Sequence, residues 1–395
     1  LRDGQGYPLE EIIMNGRKLY KVVGPCGEAI SGGSLTWSLP CGEKPGAWHE
    51  LPPGHEPIMC SQGFHLTLDP ARWWKKGCRI FEVEAEGLLS SPVNNEEKVV
   101  CRRARLVREV TATDDLAVIR IFTGGSHVIK DAVGIVYGSA IVEARGTAKV
   151  KVFGGAKVLA ADSAEVEAFD DAAVVASGKA SVTAYDDAKV TASDEASVTA
   201  FGCAKVRAYG RAVVRAYDDV KVKAHFSADV SACDRTQVTA GGHVQVTAYS
   251  EAKVTATCSA NVRAYGSSVV SAFHTAKVRA SGTCTVRASG SAKVEASDCV
   301  SVEACDRVDV EAHDSVMVRA SGNAKIRATG YTSVAAGDSV TIWAYCSARV
   351  TARGSATVLI ERSPENEGVS FTVTEKACAV DRRKSNGAST FVTHN

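Results

Sequence analysis

From Ala140 to Ser363 the chain repeats every eight residues for 28 units, with no insertion or deletion. The first units read AIVEARGT, AKVKVFGG, AKVLAADS and AEVEAFDD, and the last reads ATVLIERS. The third position is Val in 26 units and Ile in two (Ile326, Ile342); the fifth is Ala in 26, the exceptions being Val152 and Ile360. The seventh is Gly or Asp in 22. Positions 1, 3 and 5 are thus apolar, while 2 and 4 carry mostly Lys, Arg, Thr, Ser or Glu. That is the period-two pattern of a strand with one buried face. Apolar residues two apart, followed by a three-residue gap, cover no helical face. Gly or Asp at the seventh position supplies a turn residue that tolerates positive φ. One such short strand cannot stand alone, so successive units must stack. The expectation is a long parallel β-solenoid.

The aromatic residues at position 6 indicate the coil size. Phe153, Phe169, Tyr185, Phe201, Tyr217, Tyr249, Tyr265 and Tyr345 are all separated by multiples of sixteen, and the alternate phase holds only Tyr209 and Phe273. Two units per coil are expected, with two sheets back to back and an aromatic ladder along one edge. Position 1 hints at a rival period of twenty-four. Fourteen coils at ~4.8 Å each make a rod roughly 65–70 Å long. Its open ends need covering; the tail beyond Ser363, with the strand-like SFTVT at 370–374, is the expected C-terminal cap. The segment REVTATDD (Arg108 to Asp115) matches the repeat phase and suggests that winding starts early.

Composition sharpens this picture. Apolar residues make up 45% of the chain but aromatics only 6%, so the core must be thin. Lys and Arg number 46 against 45 Asp and Glu, so net charge singles out neither nucleic acid nor membrane as a partner. No run of 18 apolar residues is present, which excludes a helical membrane span. The 13 cysteines contain no CxxC pair, and no cysteine of the array has another sixteen residues away. Free thiols, and a reducing cytoplasmic or virion-associated setting, are expected. The chain begins at Leu1 rather than Met, as a processed or incomplete chain would.

Residues 1–107 differ in texture, with four of the five Trp, most of the Pro and five Cys. A small α+β domain is expected here, followed by irregular first coils at 108–139, the array at 140–363 and a cap at 364–395. The motifs KLYKVVGPCG, MCSQGFHLTLDPARWW, RIFEVEAEG and EEKVVCRRARLVREVT resemble an N-terminal domain of unknown function found in phage and bacterial proteins, often ahead of A-x-V-x-A-x-[GD]-x arrays. The resemblance implies a phage or prophage source and no established activity. In architecture the array is similar to bacterial ice-nucleation solenoids, with different motif letters.

Several chemistries can be weighed. Tyr20, His65 and Glu82 or Glu84 occur in an order loosely similar to small ADP-ribosyltransferase-like folds; core and surface roles explain them more simply. His49, His55, Cys60 and His65 are metal-ligand types within seventeen residues, but their spacing matches no established zinc pattern. Ice binding needs unbroken threonine rows, which charges interrupt here. Positions 2 and 4 hold 19 Lys/Arg against 8 Asp/Glu, densest at Lys205, Arg207, Arg211, Arg215, Lys221 and Lys223. Such a row could track phosphates, although cations also serve simply to keep a sheet soluble. The aromatic ladder could pair one rod with another. The favoured reading is a non-enzymatic structural protein, with no cofactor, that associates with itself as a spacer, fibre or adhesive surface. The alternatives are an enzymatic head on an inert shaft and a nucleic-acid-binding surface.

Overall fold

The computed structural model describes residues 18–30, 34–58, 61–68, 70, 73–75, 77–90, 98–110, 119–361, 366, 368–383 and 390–393. It consists of a small antiparallel β head followed by a parallel β-solenoid of about 15 turns.

The head is built from β1 (Leu19–Val23), β2 (His49–Glu50), β3 (Phe64–Thr67), β4 (Arg79–Ser90) and β5 (Lys98–Glu109). β5 pairs with β4 on one side and with β3 and β2 on the other, and β1 bridges β3 and β4, so the sheet curls into a small ring. Its interior is apolar: Val23, Trp37, Leu66, Phe81, Val99, Cys101, Ala104 and Leu106. The β part of the expected α+β domain is present; the described residues hold no α-helix. The stretch between β1 and β2 is punctuated by Pro40 and Pro45 and spends its backbone groups on isolated bridges, Glu28 to Thr36 and Cys41 to Lys44. Proline, lacking an N–H, suits such bridges better than a helix interior. Arg108 and Glu109 belong to β5, so the head reaches at least to residue 109, and residues 111–115 of REVTATDD lie outside the described residues.

Among the described residues winding starts with β6 (Ile119–Phe122), β7 (Ser126–Lys130) and β8 (Val133–Val136), ahead of the regular array. Here the coil is short: Ile119 lies beside Val133 and Ser126 beside Ile141. From β8 onward it is regular. Strands β9 to β36, from Ile141–Arg145 to Thr357–Ile360, recur every eight residues. Each pairs in parallel with the strand two places on, as Lys149 with Glu165 and Lys157 with Ala173, a coil of sixteen residues. Even-numbered strands form one sheet and odd-numbered strands the other. The twenty-four-residue alternative is excluded.

Between the sheets, positions 1, 3 and 5 form one continuous seam of Ala and Val. Four first positions in it are not aliphatic: Thr236, Ser268, Cys284 and Thr332. Each donates to the carbonyl three residues back, at 2.6, 2.6, 3.1 and 2.6 Å, so none brings an unpaired polar group into the seam.

The turns are hydrogen-bonded from coil to coil. The N–H at position 8 donates to the carbonyl at position 7 of the coil before, as Ser163 to Gly146 at 3.0 Å. Position 7 sits in the left-handed region, with φ of 57° at Asp162 and 64° at Gly178. Where it is Asp, the carboxylate also accepts the N–H of position 7 one coil earlier: Gly146 to Asp162 at 3.0 Å, Gly202 to Asp218 at 3.0 Å, Gly290 to Asp306 at 2.9 Å. Gly and Asp are therefore complementary here, one providing an open N–H and the other its acceptor.

At the far end β37 (Ser370–Val373) and β38 (Cys378–Asp381) continue the two sheets after five extra residues, since Arg349 pairs with Ser370 and Thr357 with Cys378. The turn bonds persist: Asn366 accepts the Cys346 N–H at 2.9 Å and Glu375 accepts that of Gly354 at 2.7 Å. β39 (Thr390–Thr393) then pairs antiparallel with β38. The tail thus winds on before it caps.

Two substitutions test this account. Val222, at 1% exposure, faces the seam; Val222→Asp should cost several kcal/mol and abolish cooperative melting of the shaft in far-UV circular dichroism. Asp306→Gly keeps a residue suited to positive φ but loses the acceptor for the Gly290 N–H. It should destabilise by about 1 kcal/mol, and Asp306→Ala by more, because φ is then strained as well.

Candidate functional surfaces

The head and the shaft meet at a second apolar cluster. Tyr20, Val22, Trp74, Ile80 and Val110 of the head pack on Ile121, Ile135 and Phe153 of the first coils. The Trp74 ring stacks on Tyr137 at 5.6 Å and meets Phe153 edge-on at 4.7 Å, while its Nε1 donates to the Cys78 carbonyl at 2.8 Å. The two sides of strands β1 and β4 therefore serve different ends, one filling the ring and the other docking the shaft.

This placement defines the candidate head residues. Tyr20 is 1% exposed, within the docking cluster, and lies beside Thr67 on one side and Glu82 on the other. Glu82 is held by Lys18 at 2.7 Å and by Arg108 at 2.6 Å, and Glu84 pairs with Arg105 at 2.6 Å. His65 is in β3 opposite Val100. Of the metal-ligand candidates, His49 accepts the Ser38 N–H on Nε2 at 3.1 Å and packs against Trp37 at 5.2 Å. His55 is exposed in a turn, and Cys60 lies outside the described residues. Among the described residues no group of three His, Cys, Asp or Glu side chains is placed to hold a metal. The twelve described cysteines are all unpaired, and no described helix is long and apolar enough to cross a membrane.

Sequence reasoning missed Lys21. Its ammonium donates to the His65 carbonyl at 2.8 Å and lies 5.3 Å from the Trp37 ring centre. Burial lowers its pKa to about 8, and the neighbouring Cys101 thiol is pushed up to about 12 by its own burial. Position in β1 carries no sign of this, because a lysine in an alternating strand reads as solvent-facing.

On the shaft, the aromatic ladder is present but interrupted. Phe153, Phe169, Tyr185, Phe201 and Tyr217 stack in sequence at 4.8, 4.9, 5.4 and 5.1 Å. Tyr249 and Tyr265 form a separate pair at 5.4 Å, beyond Cys233, and Tyr345 stands apart from both groups. The rings mostly cover one another, and Trp74 and Tyr137 extend the stack into the head. Beyond Tyr265, Ser281 and Ser297 take the ring positions, leaving a shallow groove of about 290 Å³ that reaches His313.

The expected basic cluster is divided by the coil. Lys205 and Arg207, on β17 (Lys205–Ala208), lie directly beside Lys221 and Lys223 on β19 (Lys221–Ala224). Arg211 sits in the turn after β17, but Arg215 is on β18 (Val213–Ala216), in the opposite sheet, because consecutive octads alternate between sheets. The same sorting resolves the overall surplus. Positions 2 and 4 of β9–β36 carry 10 cations and 2 carboxylates on the odd sheet, against 9 and 6 on the even sheet. The even sheet pairs charges across rungs, as Lys149 with Glu165, Arg279 with Glu295 and Arg327 with Glu311. Among the described residues Lys205, Arg207, Lys221 and Lys223 have no carboxylate partner.

No protein-family model matches the chain, and neither the curated proteins nor the solved structures contain a match.

Lys21 makes the head pH-dependent in a defined sense. With its pKa near 8 in the fold and 10.5 when unfolded, the unfolded chain holds more protons between those values, so stability rises with pH across that window. Cys101, near 12 in the fold and 9.0 unfolded, acts oppositely from pH 9 upward. The net gain therefore falls between about pH 8 and 9. Melting followed by tryptophan fluorescence should shift upward over that interval, and Lys21→Met should remove the shift.

Proposed function

We propose that this protein is a non-enzymatic spacer that carries its head on a rigid, surface-bearing rod. The observation that carries this reading is the unbroken coil-to-coil hydrogen bonding of strands and turns over an aliphatic seam. Such a seam holds little but Ala and Val and leaves no interior space for a substrate. The head supports the same reading: Tyr20 is sealed against the shaft, and Glu82 and Glu84 are occupied by cations.

Of the two forms of self-association, lateral pairing through the ladder has limited support, because most rings already stack on their own neighbours. End-to-end growth has still less, because β39 reverses strand direction at the C-terminal end and the head packs over the first coils. A single rod is therefore the form proposed. The phage or prophage setting that the head motif implies suits such a rod and belongs to the proposal.

Small-angle scattering tests it. A shaft of ~70 Å with a head of ~30 Å gives a maximum dimension near 100 Å and a radius of gyration of roughly 29 Å, against ~21 Å for a compact globule of this length. The mass should be that of one chain, 41.5 kDa, at every concentration. A mass that climbs with concentration would replace the single rod by a fibre, and a radius near 21 Å would reject the rod.

A further inference from the structure

On the shaft edge that follows the odd-numbered strands, the seventh position alternates at first: Gly146, Asp162, Gly178, Asp194, Gly210. The next place, due an Asp, is Phe226. Its φ is 63°, a conformation that bulky residues rarely hold, and the residue is 66% exposed. Neither feature helps the fold. Asp at this place would accept the Gly210 N–H, as Asp162 accepts that of Gly146. Strain and exposed apolar surface together mark a residue kept for contact.

Its surroundings say with what. Six consecutive turns on this edge, from Tyr209–Gly210–Arg211 to Ser289–Gly290–Ser291, contain no carboxylate. On the adjoining odd-sheet face, positions 2 and 4 contain none from Lys157 to Arg287. The opposite edge of the same coils carries Asp218, Asp219, Asp234 and Glu251. Beside Phe226, the Tyr209 ring stacks on His225 at 5.6 Å and lies 6.5 Å from Phe226 itself. The aromatic group thus borders the unpaired cations Lys205, Arg207, Lys221 and Lys223.

We infer that this face and edge form a docking track for single-stranded nucleic acid, in which the cations meet backbone phosphates and Phe226 stacks on an unpaired base. Cations alone would serve any polyanion. The exposed ring on a strained backbone favours a partner with planar groups beside its charges, because base–aromatic stacking tolerates any sequence. A duplex keeps its bases stacked inside and offers the ring nothing. An acidic polypeptide would use the cations and leave Phe226 without purpose.

Fluorescence anisotropy of the full chain with a labelled 15-nucleotide oligothymidylate, and with a labelled oligoglutamate of equal length, tests this. Contact with four phosphates should give a log–log salt slope near −2.8, roughly fifty-fold weaker binding at 200 than at 50 mM salt. Phe226→Gly, which suits the left-handed backbone, should leave melting unchanged or raised yet weaken oligothymidylate binding about ten-fold. Phe226→Trp should restore it. Lys221→Glu with Lys223→Glu should flatten the salt slope. No oligothymidylate binding at 50 mM salt would overturn the inference. So would binding indifferent to Phe226→Gly, or oligoglutamate binding as tight and as dependent on Phe226, which would mark an acidic-peptide site.

Discussion

The structure depends on one requirement, that every coil present to the next the same backbone hydrogen-bonding groups in the same place. Parallel strands meet it readily; turns are harder. A turn must reverse the chain in a few atoms without leaving a polar group buried or shifting the register of the following strand. Position 7 resolves this through a left-handed residue whose N–H and carbonyl both point along the stack. Given that device, the interior follows: a coil this narrow has room only for small and β-branched side chains, Ala flanking the Val at its centre. At the fifth position wider residues, Val152 and Ile360, enter only near the ends of the array, whereas the first position also takes Val in its middle, as at Val220 and Val244.

The same requirement explains the charge pattern of the turns. Asp at position 7 is an acceptor for the neighbouring N–H, yet stacked carboxylates repel. On one edge Asp and Gly alternate on either side of the stretch from Phe226 to His274; on the other Asp occurs in adjacent pairs (Asp170 with Asp186, Asp218 with Asp234, Asp298 with Asp314). Where acids cross to the strand faces most are met by Lys or Arg one rung away, Glu143 and Asp229 being the exceptions. Exposed pairs of this kind contribute little stability but keep charges from accumulating along an open sheet. The odd face between Lys157 and Arg287 departs from this habit.

Most of the shaft was legible because its rules are local and repeated: strand period, inward face, turn residue and coil size can each be read from eight or sixteen residues. What was not legible depended on contacts between distant segments. Trp74 reaches the ring ladder from an irregular loop in the head, and nothing near it predicts that contact. Arg108 and Glu109 share the phase of the array yet belong to β5, because alternation looks alike in a head strand and a solenoid strand. The basic cluster read as contiguous in sequence, yet Arg215 lies on the other sheet, and the real asymmetry emerged only when octads were assigned to alternate faces. Lys21 was overlooked for a related reason, since the ring turns a face that would ordinarily be wet into an interior.

The direction of the hydrogen bonds also determines how the rod bears load. They run along its length, so a pull between head and tail strains them one rung at a time instead of sharing the force across many strands in shear. Each coil that lets go frees sixteen residues, about 55 Å of extended chain, while the remaining rungs are untouched. The shaft therefore resists bending and crushing as a strut but yields to tension by paying out in equal steps, a tether folded into the form of a post.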